Sequence, residues 1–217
     1  FLDTLPSPWM CVPGNHDVPT YNLMERLFRP YRRYRHYITR DLMPKLETES
    51  FAILGLNTAR SFSWRSLDWS RGRIGLGQLA GCKAWFAKVP EGKARIVFAH
   101  HPFILPSDDP SRGLVGRLNQ ALTNFGFSQI DLLLAGHLHQ AFSERIQIAN
   151  AEEKRNGDRT LLAVQGSTAT SDRLRGEPNA YNTIEVRPDR LTVETRVWKE
   201  GEFSPGGSVS HELAGQS

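Results

Sequence analysis

Three short apolar runs each stop at a turn rich in imidazole, and this recurrence constrains the chain more than any other feature. Pro8 to Val12 leads into Pro13-Gly14-Asn15-His16-Asp17, Arg95 to Ala99 into His100-His101-Pro102, and Asp131 to Ala135 into Gly136-His137-Leu138-His139. Short apolar runs closed by Gly, Pro or Asn read as buried strands entering loops. Five of the seven histidines fall in these three loops, and open α/β sheets collect ligands at the C-terminal edge of their strands. The three loops are therefore expected to converge on one site.

The rest of the chain supplies the sheet and its cover. Phe51 to Leu56 is a further strand-length run, closed by Asn57-Thr58; Leu76 to Val89 and Leu114 to Phe125 have the apolar spacing of amphipathic helices. Trp64, Trp69 and Gly72 to Gly75 suggest an ordered loop. Pro102 to Gly113, with Asp108 and Asp109, is a polar loop placed to cap a site. Beyond His139 strands alone are expected, at 141–148, 160–165, 181–186 and 191–197, with turns at Gly157-Asp158 and Pro188-Asp189. The architecture is thus α/β with a mixed sheet that gains antiparallel strands late. A length of 217 residues suits one domain, here residues 1–204, followed by a Gly- and Ser-rich tail at 205–217 in which His211 is expected to be solvated.

Tyr21 to Phe28 can form a short helix before Pro30, and the most basic stretch follows: Arg29, Arg32, Arg33, Arg35, His36 and Arg40, interleaved with Tyr31, Tyr34 and Tyr37. Basic residues alternating with aromatics suit nucleic acid. The helical spacing of the tyrosines instead favours rings packed inward and solvated arginines. A formal charge of +4 inclines the chain toward anionic substrates without marking it as a nucleic-acid binder. No apolar run is long enough to span a membrane. Cys11 and Cys82 have no metal-ligand spacing and suit free thiols in a reducing, cytoplasmic compartment.

Neutral imidazole with amide or carboxylate oxygen suits borderline divalent ions such as Mn, Fe, Zn, Co or Ni, and the lack of a cysteine ligand argues against a structural zinc. His137 and His139, two apart on an extended segment, could reach two neighbouring ions, with Gly136 allowing close backbone approach. Taken together and in this order, Gly-Asn-His-Asp, His-His-Pro and Gly-His-Leu-His resemble the third, fourth and fifth motifs of the calcineurin-like metallophosphoesterases, over about Pro8 to Trp198. The bacterial members that cleave phosphodiesters such as cyclic nucleotides are the most similar.

The resemblance implies the four-layer α/β/β/α sandwich of metallo-dependent phosphatases, two divalent metal ions, and hydrolysis of a small phosphodiester or phosphomonoester by a metal-bridging hydroxide. It places Asn15, His100 and His137 on the second metal and His139 on the first. It makes His16 the general acid at the leaving-group oxygen, with Asp17 fixing the imidazole tautomer. His101 is either a substrate contact or a neighbour. The family's opening Asp-x-His and Gly-Asp motifs do not precede Asn15, so the chain resembles a member without its first strands, and weak metal binding with impaired turnover is expected of it. Two rival readings are a non-catalytic phosphoesterase-fold binding protein and a nucleic-acid module built on residues 29–40. Nothing in the sequence points to an oligomeric state.

Overall fold

The computed structural model describes residues 2–62, 70–107, 113–148, 159–171 and 176–213. Trp64 and Trp69, Asp108 and Asp109, and the Gly157-Asp158 turn lie outside the described residues. Among the described residues nine strands form two sheets. The first has the order β1 (Lys45–Glu47), β2 (Phe51–Leu56), β3 (Ala94–Ala99), β4 (Leu132–Ala135), β6 (Arg159–Gln165) and β5 (Phe142–Ile148). β2, β3, β4 and β6 run parallel, while the outer strands β1 and β5 are antiparallel. The parallel strands carry near-continuous apolar sequence because both faces of the sheet are covered.

Helices α3 (Leu76–Phe86) and α4 (Leu118–Phe127) cover one face. Leu79, Cys82, Phe86, Ala121 and Phe125 pack there against Leu54, Val97, Leu133 and Leu161. The second sheet, β7 (Ala180–Val186), β8 (Arg190–Lys199) and β9 (Glu202–Glu212), covers the other face. Its Leu191 and Val193 meet Ala94, Ile96, Leu132, Leu162 and Val164. Two mixed or antiparallel sheets face to face, with helices outside the first, make the expected sandwich. No described helix is long and apolar enough to cross a membrane.

Four expectations are corrected. Pro8 to Val12 joins no strand. The adjoining edge of β2 is already occupied by β1 and by Pro44, whose carbonyl accepts from Gly55 N–H at 2.8 Å. The apolar run instead lies on the sheet, with Val12 against Gly55 and Phe98. The fourth helix starts at Leu118 and not at Leu114, because Gly116 pairs with Arg73: Gly116 N–H bonds Gly72 O at 2.8 Å and Ile74 N–H bonds Gly116 O at 3.1 Å. The three tyrosines do not all point inward. Tyr34 is buried and Tyr31 half-buried, but Tyr37 is 74% exposed, since helices α1 (Leu23–Phe28) and α2 (Arg32–Tyr37) are too short to keep one face in contact throughout.

The fourth correction concerns the C-terminus. Residues 205–212 belong to β9, paired with β8 from Arg190↔Glu212 to Lys199↔Glu202, and His211 is buried at 7% exposure. Its ring fills an inward position that alternates with exposed Ser210 and Glu212.

Candidate metal centre

One register row explains why distant loops meet. Leu56, Ala99, Ala135 and Gln165 are cross-strand partners in sequence across β2, β3, β4 and β6. The next residues, Asn57-Thr58, His100-His101, Gly136-His137 and Gly166-Ser167, therefore leave the sheet side by side at its C-terminal edge. The ladder continues one step beyond the strands, with Gly136 N–H on His100 O at 3.1 Å and Gly166 N–H on Ala135 O at 2.7 Å.

The 3-10 turn Asn15–Asp17 meets this edge from the other side. Asn15 Oδ1 lies 3.0 Å from His100 Nε2, which lies 3.1 Å from His137 Nδ1. An ion with ligand bonds of about 2.0–2.1 Å holds neighbouring ligand atoms roughly 2.8–3.4 Å apart, from octahedral to tetrahedral geometry. Both spacings fall in that range, and the donor set of one amide oxygen and two imidazoles suits a borderline divalent ion. Burial, then the neighbouring His137, His16 and His139 charges, push the His100 pKa down to about 4. The ring is therefore neutral near pH 7, the form that binds metal. His16, exposed on the turn, and His139 are both close enough for their charges to act on His100.

The His137 to His139 segment is not extended as expected. Leu138 N–H bonds Gly136 O at 3.0 Å, and His137 and His139 have φ of 77° and 63°. A three-residue turn with positive φ at its centre is the rarer, strained γ type. It is held down by buried Leu138, by Gln165 Nε2 donating to Gly136 O, and by Ser167 Oγ donating to His139 O at 3.3 Å. The strain aims Nδ1 of His137 at His100. Gly136 makes no close approach; the glycines tight against the histidines are Gly14 and Gly72, where an added Cβ would meet the His100 ring at 2.9 Å and the His101 ring at 2.2 Å.

Of the two roles open to His101, the structure favours the neighbour. The ring is 2% exposed. Nε2 faces Ser70 O at 2.9 Å, an acceptor only, so Nε2 carries the proton. Nδ1 is then the acceptor for Thr58 O–H at 2.7 Å. Burial followed by the neighbouring His100 and His137 lowers its pKa to about 3, which keeps that tautomer neutral. Its ligand atom lies within 4.8 Å of those of His100 and His137, yet both nitrogens are engaged by the protein, leaving neither for metal or substrate. Asp17 Oδ2 accepts from Gly14 N–H at 2.8 Å and so caps the turn that carries His16.

Sequence reasoning overlooked the residues that hold the histidines in place: Gly14 beneath His100, Thr58 and Gly72 around His101, and Gln165 on Gly136. Asn57-Thr58 did carry a signal, being a fourth apolar run closed by polar residues at the same edge.

A family model for calcineurin-like phosphoesterases matches residues 1–141. No curated protein sequence matches the chain. Among solved structures, a dimetal phosphatase from Danio rerio is similar with a TM-score of 0.58 at 14% identity, over 94% of this chain and 71% of that one. A purple acid phosphatase from yellow lupin (Lupinus luteus) seeds gives 0.53 at 12% identity, over 80% of this chain. The match spans 33% of the lupin protein's length. At such identities the likeness is one of fold.

Proposed function

The chain belongs to the calcineurin-like phosphoesterase family, and from that premise we propose that it serves metal-dependent hydrolysis of a small phosphoester at the loop cluster of Asn15, His16, His100, His137 and His139. The observation that carries this reading is the spacing of Asn15 Oδ1, His100 Nε2 and His137 Nδ1, which matches adjacent ligands of one divalent ion. In this proposal those three residues hold one ion and His139 serves a second. A divalent ion there supplies charge neutralisation to phosphoryl oxygens and activates water at neutral pH.

The chain's own residues do the rest. Asn15 and His100 fix each other's orientation across the opening, and the γ-type turn fixes His137. His16, exposed beside Asn15 on a turn locked by the Asp17 cap, is free to approach the leaving-group oxygen and give it a proton. Such proton transfer contributes roughly 10²–10⁴-fold. The motif likeness to bacterial cyclic-nucleotide phosphodiesterases supports a diester substrate, and the free thiols of Cys11 and Cys82 support a cytoplasmic setting.

The test is His16→Asn. An alkyl phosphoester with a poor leaving group should slow by about 10²–10⁴-fold, a nitrophenyl ester far less, and bound metal should be unchanged. Equal slowing of both esters, or loss of metal, would remove His16 from the general-acid role.

A further inference from the structure

We infer that the cleft formed by the end of α1, the turn after it and α2 binds single-stranded nucleic acid, independently of the metal centre. Six arginines against the single acid Glu25 lie between residues 22 and 40, more positive charge than the +4 of the whole chain, so the remaining residues together carry a slight negative excess. The basicity of this protein is thus one local feature. Arg29, Arg32, Arg33, Arg35 and Arg40 are all exposed. Glu25 pairs with Arg33 at 2.9 Å and less closely with Arg32 at 3.7 Å, which leaves a large uncompensated charge.

The patch is concave and has aromatics at its mouth. A cleft of about 810 Å³ is lined by Arg29, Arg32, Arg33 and Arg35 together with Phe28 and Tyr37. Phe28 is 73% and Tyr37 74% exposed, and both border this cleft. Arginines that track phosphates and open aromatic faces that accept bases are the two components of single-strand recognition. Duplex DNA would satisfy only the first, because its bases are stacked on one another. An anionic lipid surface fits less well. Leu23, Met24 and Leu27 of α1 are also exposed, yet the arginines line a hollow together with Phe28 and Tyr37 and do not flank a flat apolar face.

Buried contacts hold the patch in place. Arg26 donates to Ser61 O, Pro19 O and Arg60 O at 2.7–3.1 Å, and Tyr31 O–H donates to Ala59 O at 2.6 Å. Substitutions at the exposed Phe28, Arg29, Arg35 and Tyr37 leave these anchors untouched.

The experiment is fluorescence anisotropy with a labelled oligothymidylate of about twelve nucleotides, on the full chain in EDTA, so that neither metal nor turnover contributes. Binding should be tighter to the single strand than to the same-length duplex or to inorganic polyphosphate. Its logarithm should fall with log salt at a slope of about −2 to −3, as expected for three or four neutralised phosphates. Phe28→Ala with Tyr37→Ala should weaken it roughly 5- to 100-fold, and Arg29→Glu with Arg35→Glu should flatten the salt slope, each variant keeping the parent's melting transition. Tyr37→Trp should bind at least as well as the parent. Equal affinity for duplex or polyphosphate, indifference to the aromatic substitutions, or preference for phosphatidylserine vesicles would overturn the inference. Because the readout is metal-free binding, its failure leaves the phosphoesterase reading untouched, and the reverse holds too.

Discussion

Gly14 and Thr58 show how single residues set the centre without touching a ligand ion. The His100 ring lies on Gly14, where even a methyl group would sit 2.9–3.1 Å from three ring atoms. Gly14→Ala must therefore displace His100 from its position between Asn15 and His137. The expected result is a loss of metal affinity of about 10–100-fold, the range seen for groups that orient ligands, read by calorimetric titration with Mn. Thr58 acts one residue further back. Its hydroxyl donates to His101 Nδ1 at 2.7 Å and accepts from His101 N–H at 3.3 Å. Thr58→Val keeps the volume and leaves a buried imidazole nitrogen without a donor, which costs about 1–3 kcal/mol. Chemical denaturation should show that loss; an unchanged midpoint would mean that the ring accepts another donor.

At the level of elements, the parallel strands were legible because each is a continuous apolar run ended by turn residues, and β2, β3 and β4 begin and end within a residue or two of those runs. The site was legible for the same reason, since a shared register row delivers whatever follows each strand to one edge. Pro8 to Val12 misled because apolar continuity reports packing and not pairing; with β1 on the β2 edge, partial burial of Trp9 to Val12 was what remained. At the other end Gly206-Gly207 concealed a strand. The usable signal there was Val209, His211 and Leu213 at alternate positions, whose inward side chains lie against β8 and the inter-sheet core. A chain ending after Ser204 tests the difference. A loose tail would be dispensable. Removing two partly buried aliphatic side chains and a strand partner should instead lower the melting temperature by about 5–10 °C, at roughly 1–3 kcal/mol per aliphatic side chain and 2–4 °C per kcal/mol.

Across the whole molecule, charge decides how a divalent ion can bind. The ligand set Asn15, His100 and His137 is neutral, one oxygen of Asp17 accepts from Gly14 N–H, and among the described residues the side chains clustered with His100 and His137 are imidazole only. Positive charge lies on one side of it: Arg60 acts on His101, and Arg73 and Arg117 act on Arg60. Such an environment opposes a dication and favours an anion, so an ion and a phosphate should each supply the charge that the other requires. Linkage makes that coupling reciprocal. In Mn titrations followed by calorimetry or electron paramagnetic resonance, the 217-residue chain should take up about one ion, weakly, in a non-coordinating buffer. Inorganic phosphate below the precipitation limit should then tighten Mn binding by about tenfold, a coupling of about 1.4 kcal/mol, and Mn should tighten phosphate binding by the same factor. Two tightly held ions in the absence of phosphate would show that carboxylate charge reaches the centre and would overturn this account of it.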